Sequence, residues 1–258
     1  MMILCGLLPL LLSGIQAIED VEVCSNQPAD IGFLIDESGS VSQTNFKINL
    51  DMVKKFVNDF EIGNNAMKIS VFAFHQLIGD GFYFSCCHSK ASIKSEIDNI
   101  NFASGSEDFE MALTFAKRDM FQSVNGARSC TLKILMLFTD GQSPIKNASS
   151  LLHQLGVLVY AIGVGSGVNK DTLNKIATNE SYVLMMPSYS DLLGEGYSNI
   201  TSQICIDVLT NPCERIPKPC KNTKTCVWTG GSRYMCLGIN GSTDNNCTKG
   251  LVYHQQNR

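Results

Sequence analysis

Asp36, Ser38 and Ser40 place one carboxylate and two hydroxyl groups at alternate positions, directly after the apolar run from Ile31 to Ile35. Such a run is typical of a central strand in a parallel sheet, and open α/β sheets bind ligands at the carboxyl ends of their strands. Hard oxygen ligands suit Mg²⁺, Ca²⁺ or Mn²⁺ better than zinc. The pattern therefore predicts a divalent-cation site. The alternative is a helix N-cap cluster, because Ser and Asp favour that position.

A second apolar run ends in the same way. Leu132 to Thr139 is followed by Asp140 and Gly141, and the glycine permits a sharp turn. Two carboxylates that follow two separate strands are harder to explain as helix caps than one. We therefore expect Asp140 to approach the same ion as Asp36.

These segments resemble a known family. Asp-x-Ser-x-Ser at Asp36 to Ser40 resembles the metal-ion-dependent adhesion site (MIDAS) of von Willebrand factor type A domains, and Thr-Asp-Gly at 139–141 is similar to a second motif of that family. The strand from Tyr160 to Gly165 is a third similarity. The resemblance covers Asp30 to Cys205 and is to the secreted extracellular-matrix type found in matrilins and collagens.

The resemblance implies a function. In the family, residues at the positions of Ser38 and Ser40 bind the ion directly, and those at Asp36 and Asp140 bind mainly through water. An ion held mostly by neutral oxygens keeps positive charge, so it accepts an Asp or Glu carboxylate from an extracellular protein, such as a collagen-like fibre. We expect Mg²⁺, with Ca²⁺ or Mn²⁺ as alternatives.

The third family ligand, a threonine in a loop, has no direct counterpart. Counting back from Ala112 and Leu113 places Glu107 at the threonine position, with Ser106 beside it. We favour Ser106, because a hydroxyl preserves the neutral character of the ligand, and Glu107 and Asp108 remain the alternatives. A third carboxylate would tighten the bare ion but weaken its attraction for an outside acid.

Strands alternate with helices from Asp30 to Cys205, which predicts an α/β fold: a doubly wound, mainly parallel sheet with helices on both faces. The predicted strands cover 30–36, 67–74, 81–85, 132–139, 157–164 and 182–186. The predicted helices cover 45–60, 92–100, 109–121, 148–155, 171–178 and 189–204.

Four regions are expected along the chain. Residues 1–17 read as a secretory signal peptide, 24–205 as the type A domain, 211–247 as a small Cys-rich module and 248–258 as a tail. The module looks like a partial epidermal growth factor-like (EGF-like) domain that lacks the fifth cysteine of that family. No segment after the signal peptide reaches the ~18 apolar residues of a membrane span. We expect a secreted protein of the extracellular matrix.

Disulfides are expected, because Cys5 leaves with the signal peptide and an even set of cysteines remains in an oxidising compartment. A bridge between Cys24 and Cys205 would tie the domain ends together, as in several extracellular type A domains. Inside the domain, one candidate bridge joins Cys130 to Cys86 or Cys87. Five cysteines lie in each half, so at least one bridge crosses between domains or chains, and a disulfide-linked oligomer is one outcome. Those in the module are Cys213, Cys220, Cys226, Cys236 and Cys247.

Other function classes are disfavoured. The net charge of −4 comes with scattered basic residues, which argues against nucleic acid binding. No hydrolase or nucleotide-binding motif is present, so we expect no enzyme activity. The alternative function is a structural matrix component that assembles through disulfides and surface contacts while its metal site stays idle. Candidate N-glycosylation sites agree with secretion: Asn147, Asn179, Asn199, Asn240 and Asn246.

Overall fold

The computed structural model describes residues 24–141, 143, 145, 152 and 156–210, the backbone of 224–230 and 233–238, and the side chain of Cys236. Six strands of the domain form one sheet, in the order β3-β2-β1-β4-β5-β6. The strands are β1 (Ala29–Asp36), β2 (Lys68–Phe74), β3 (Ile78–Phe82), β4 (Leu132–Thr139), β5 (Val157–Val164) and β6 (Val183–Met186).

The sheet is mainly parallel, as predicted. β1 pairs in parallel with β2 on one side and with β4 on the other, and only the β2–β3 pair is antiparallel. The strand order changes direction between β1 and β4, and such a switch point opens a crevice at the carboxyl ends of the two strands. Asp36 ends β1 and Thr139 ends β4. The topology therefore brings both predicted carboxylates to one crevice.

Helices cover both faces of the sheet. They are α1 (Ser42–Asp59), α2 (Lys90–Asp98), α3 (Phe109–Phe115, continued by a π-helical turn over Ala116–Met120), α4 (Lys170–Ile176) and α5 (Glu195–Leu209). Side chains alternate along β1, so Phe33 and Ile35 enter the core beneath α1, α2 and α5 while Leu34 enters the core beneath α3 and α4.

Gly32 leaves space for a neighbouring element to pack closely against the centre of the sheet. A Cβ atom at this position would lie 2.7 Å from Met120 Sδ and 3.0 Å from the ring of Phe121. The missing side chain lets the π-helical turn pack directly on β1, which fixes the central strand.

Several element boundaries differ from the prediction. β3 lies at Ile78–Phe82, nearer the hairpin turn than the predicted 81–85, because Phe82 pairs with Val71 in the antiparallel register. α1 begins at Ser42, three residues before the predicted start. Nearly all of the predicted helix 148–155, the signal peptide 1–17, much of 211–247 and the tail 248–258 lie outside the described residues.

Disulfide pairing was predicted correctly at the domain ends and wrongly inside the domain. Cys24 is bonded to Cys205 across 181 residues of sequence, as the family resemblance implied. Cys86 is bonded to its neighbour Cys87, so neither is the partner that we expected for Cys130, which is nevertheless disulfide-bonded. Sequence reasoning did not consider this bond, because the Cα atoms of adjacent residues are closer together than those of most disulfides.

The Cys-rich module contains one described hairpin. β7 (Lys224–Gly230) pairs antiparallel with β8 (Arg233–Gly238), and Cys226 lies opposite Cys236 in the register. The EGF-like character of 211–247 stays a prediction, because a single hairpin is common to many small disulfide-rich folds.

Candidate metal centre at the carboxyl ends of β1 and β4

Asp36 lies at the base of the crevice and is fully buried. Its Oδ1 accepts a hydrogen bond from the Ser38 amide at 2.8 Å, and its Oδ2 accepts one from the Thr139 hydroxyl at 2.6 Å. The first contact shapes the turn after β1, and the second joins that turn to the end of β4. Asp36 is therefore fixed between the two strand ends that the sequence predicted to meet.

The two serines and the second aspartate form a chain of contacts above Asp36. Ser38 Oγ lies 3.1 Å from Ser40 Oγ, and the Ser40 hydroxyl donates to Asp140 Oδ1 at 2.8 Å. Ser38 is 3% exposed, whereas Ser40 is exposed. Four of the five predicted ligands are thus gathered at one place, with their outer members open to solvent.

The fifth predicted ligand, Ser106, turns away from this group. Its hydroxyl donates to Gln76 Oε1 at 2.6 Å, and its amide donates to the same oxygen at 3.0 Å. Asp108 is also engaged elsewhere, because its Oδ1 caps α3 by accepting from the Met111 amide at 2.9 Å. Neither of these side chains contacts Asp36 or Asp140.

Glu107 reaches the group instead. Its Oε1 accepts from the Ser143 amide at 2.5 Å, and its Oε2 lies 3.3 Å from the Thr139 hydroxyl that serves Asp36. Gly141 makes room for it, since a Cβ atom there would overlap the Glu107 carboxylate. The geometry places Glu107, and not Ser106, beside the other acidic side chains. The assignment of any of them as metal ligands stays a prediction.

Glu37 holds the loop that carries Glu107. The Glu37 side chain is fully buried, and its Oε1 lies 2.9 Å from His75 Nδ1. Its Oε2 accepts from the Ala103 amide at 2.8 Å, and Gly39 N donates to the Gly105 carbonyl at 2.8 Å. The β1 turn, the β2 end and the 103–107 loop are therefore tied together. Nothing in the Asp-x-Ser-x-Ser pattern indicates this role, because Glu37 occupies one of its variable positions.

Asp36 and Asp140 carry raised pKa values. Burial is the main cause for Asp36, whose pKa rises to about 7, and the nearby charge of Glu107 adds to it against the hydrogen bonds from Thr139 and Ser38. Burial also raises the pKa of Asp140, again with a contribution from Glu107. Among the described residues, no Lys or Arg forms an ion pair with Asp36, Asp140 or Glu107.

This donor set fits a hard divalent cation. Three carboxylates and two hydroxyls supply only oxygen atoms, and a positive ion between them would offset the burial and the charge of Glu107 that together raise the two aspartate pKa values. Asp36, Ser38, Ser40 and Asp140 would hold it, with Glu107 from the third loop. The ion would supply positive charge for an acidic group from outside.

A cleft of 540 Å³ adjoins the group on one side. It is bordered by Asp140, by Asn45 and Ile48 of α1, by Ser166 after β5, and by Tyr189. The Tyr189 hydroxyl is buried and has no hydrogen-bond partner among the described residues. The cleft offers space next to the acidic side chains.

A second group with metal-ligating atoms is closed by covalent chemistry. Donor atoms of Cys86, Cys87 and Glu96 lie within 4.8 Å of one another. The two sulfurs are joined in a disulfide, so neither is available as the thiolate that zinc requires. This arrangement therefore gives no support to a zinc site at Cys86 and Cys87.

Two predicted glycosylation positions fall within the described residues. Asn179 and Asn199 are both exposed, although Asn179 Oδ1 also accepts from the Ser181 amide at 2.9 Å. Asn147, Asn240 and Asn246 lie outside the described residues. No helix that the structure describes is long and apolar enough to cross a membrane.

Comparison with curated proteins gives relatives of one kind. The chain is 28% identical over 227 residues to von Willebrand factor A domain-containing protein 2 of Xenopus laevis, covering 86% of this chain and 28% of that protein. It is 29% identical to the human collagen alpha-6(VI) chain over 78% of its length and 26% identical to human matrilin-1 over 96%. The chain spans 9% and 52% of those two proteins, respectively.

Solved structures agree with the sequence relatives. Proximal thread matrix protein 1 from the mussel byssus superimposes with a TM-score of 0.62 and 29% identity, over 70% of this chain and 46% of that one. In another structure of that protein, zinc occupies the MIDAS motif. The family model of the von Willebrand factor type A domain matches residues 30–196. The chain therefore belongs to the von Willebrand factor type A domain family.

Proposed function

We propose that this chain is a secreted extracellular-matrix protein that binds an acidic group of a partner protein through a divalent cation. The observation that carries the proposal is the convergence of Asp36, Ser38, Ser40 and Asp140 at the switch point between β1 and β4. Matrilin and collagen VI relatives support an extracellular-matrix setting. The zinc-occupied MIDAS motif of a structural neighbour supports a divalent cation.

The chemistry follows from charge. A divalent ion at this rim would attract a carboxylate, and a charge-assisted contact of this kind fixes the direction in which the partner approaches. The exposed position of Ser40 leaves the outer side of the group accessible. The cleft beside Asp140 would receive the side chains that flank the partner's acidic residue.

The cation preference is proposed on the same basis. An all-oxygen set suits Mg²⁺, Ca²⁺ or Mn²⁺, and in an extracellular setting Mg²⁺ and Ca²⁺ are the first candidates to test. Zinc in the neighbour shows that a MIDAS motif also accepts a softer ion. No group in the site acts as a nucleophile paired with a base, so we propose binding and not catalysis.

The test compares Asp140→Asn with the matched control Asp171→Asn, which removes the same charge from an exposed position on α4. Calorimetric titration with Mg²⁺ and Mn²⁺ should show one site in the parent chain and in the control, with affinity lowered about tenfold or more in Asp140→Asn. Capture of protein from matrix extracts should require the cation and fail in EDTA.

One result would support the alternative function instead. If capture from matrix extracts survives both EDTA and Asp140→Asn, the metal site is idle and the protein acts through surface contacts or disulfides. All cysteines whose side chains the structure describes are disulfide-bonded, so covalent assembly would depend on residues beyond them or on exchange of existing bridges.

A further inference from the structure

We propose that Glu107 is an internal competitor for the cation, which strengthens cation binding and weakens capture of the partner's carboxylate. The inference rests on the proposed cation site and concerns its regulation. It begins from the observation that Glu107 extends across the crevice, from the loop before α3 to the end of β4. The family's threonine at this position is neutral, whereas Glu107 carries a negative charge.

The contacts of Glu107 hold its carboxylate at the end of β4. Its Oε1 is held by the Ser143 amide at 2.5 Å, and its side chain is only partly exposed. Gly141 lacks the side-chain atom that would otherwise occupy the position of the carboxylate. Two independent features of the β4 end thus accommodate this one carboxylate.

Among the described residues, the second Glu107 oxygen has only one long hydrogen-bond contact. Oε2 lies 3.3 Å from Thr139 Oγ1, whose single proton is directed to Asp36 Oδ2 at the shorter distance of 2.6 Å. One hydroxyl proton cannot satisfy two carboxylates at once. Within the described part of the chain, no ion pair neutralises Glu107. Its carboxylate lies beside the same Thr139 hydroxyl as that of Asp36, so a cation between the two would neutralise charge that the described residues leave unpaired.

Charge arithmetic gives the consequence. With Asp36 and Asp140 ionised, a divalent ion leaves a neutral centre, and Glu107 makes that centre negative. A partner carboxylate then meets repulsion unless Glu107 moves away from the ion. If Glu107 leaves the ion for only a fraction of the time, the apparent affinity for the partner equals the intrinsic affinity multiplied by that fraction.

The variant Glu107→Gln keeps the shape of the side chain and removes its charge. We expect the affinity for Mn²⁺ to fall by about tenfold, while the affinity of the Mn²⁺-loaded chain for acetate rises by a similar factor. Mn²⁺ affinity is read by calorimetry. Acetate binding is read from the relaxation of water protons, because acetate displaces water from the paramagnetic ion.

Two further variants complete the design. Glu180→Gln removes the same charge from a residue in the turn before β6 whose side chain is 77% exposed, and it should change neither affinity. Gly141→Ala adds a Cβ atom where the Glu107 carboxylate lies, so it should displace Glu107 with its charge intact and shift both affinities in the same directions as Glu107→Gln. Circular dichroism and urea unfolding check that each variant is folded.

The outcomes separate this inference from the function on which it depends. Opposite changes in Mn²⁺ and acetate affinity support the competitor role. Equal Mn²⁺ affinity in the parent chain and Glu107→Gln, or weaker Mn²⁺ binding with unchanged acetate binding, overturns it while leaving the cation site in place. A parent chain that binds no Mn²⁺ overturns both proposals.

Discussion

The two ends of β1 each bury an aspartate, and they treat its charge in opposite ways. At the amino end, Asp30 accepts hydrogen bonds from the Arg128 amide at 2.6 Å and from Arg128 Nε at 2.7 Å. At the carboxyl end, Asp36 accepts hydrogen bonds from an amide and a hydroxyl group, and the nearby charge of Glu107 is negative as well. The same strand thus carries one aspartate that is neutralised by the protein and one that is not.

The strand register strengthens the contrast. Asp30 lies opposite Lys68 of β2 and Lys133 of β4, so three positive side chains surround one carboxylate at the amino end. Burial lowers the pKa of both lysines, Arg128 lowers it further, and Asp30 opposes the change. Cys24, which is bonded to Cys205, lies shortly before Ala29 in the sequence.

The difference separates a structural end from a binding end. A buried carboxylate needs a positive partner, or else its pKa rises until it holds a proton. The amino end obtains that partner from the chain itself. The carboxyl end leaves the position to a proton or to a cation from solution, which is the arrangement that a binding site requires.

Breaking the amino-end pair should have the largest effect on stability. In Asp30→Ala the Arg128 guanidinium, together with two nearby lysines, loses its buried counter-charge, and we expect the free energy of unfolding to fall by about 3–5 kcal/mol. Urea unfolding in EDTA measures the change. Asp171→Ala, at an exposed position, should cost about 1 kcal/mol or less. A similar small loss in Asp30→Ala would remove the proposed contrast between the ends.

The carboxyl end should respond to pH instead. The pKa of Asp36 is about 7 in the folded chain and near 3.8 without burial, so between these values the folded chain binds the additional proton. The cation-free protein should therefore lose stability as pH rises from about 4 to about 7. From pH 5 to pH 7.5 we expect Asp36 to account for a loss of roughly 2–3 kcal/mol.

Asp36→Asn isolates this contribution, because the amide does not titrate. In EDTA, the difference in unfolding free energy between the parent chain and Asp36→Asn should change over this pH range by the amount given. Saturating Mg²⁺ should reverse the trend in the parent chain, since the ion binds the ionised carboxylate. If the parent chain and Asp36→Asn show the same pH dependence in EDTA, the raised pKa of Asp36 does not contribute to the pH dependence of the unfolding free energy.

The sequence allowed the fold and most of the candidate centre to be predicted, for a local reason. The apolar runs that stop at Asp36 and Thr139 indicate where the strands end, and a parallel sheet brings the carboxyl ends of its strands to the same edge. Glu107 was recognisable by counting from Ala112, yet the choice between it and Ser106 depended on Gln76. That residue is 30 positions away along the chain and binds the Ser106 hydroxyl.

Other features depended on contacts that no local pattern carries. Asp30 and Arg128 are separated by 98 residues, and Glu37 meets His75 across 38 residues. Each pair forms only when the folded chain brings distant loops together at the sheet. The sequence around one buried charge does not indicate which residue will pair with it. The Cys86–Cys87 bond escaped prediction for a different reason, because adjacent residues hold their Cα atoms closer together than most disulfides do.

Ser40 gives the smallest expected effect on stability and the cleanest test of the binding end. It is exposed, and its hydroxyl contacts Ser38 and Asp140 only within the candidate centre. Ser40→Ala should change the unfolding free energy in EDTA by no more than about 0.5 kcal/mol. With Mn²⁺ at about 100 times the dissociation constant, the parent chain should gain about 2.7 kcal/mol.

Loss of one hydroxyl ligand should reduce that gain. A tenfold weaker affinity in Ser40→Ala lowers it by about 1.4 kcal/mol, whereas Ser198→Ala, an exposed position on α5, should retain it in full. Urea unfolding with Mn²⁺ and with EDTA measures both variants. An equal gain in the parent chain and Ser40→Ala would show that the ion binds without this hydroxyl. The cation that neutralises the carboxyl end of β1 would then be bound by the carboxylates alone.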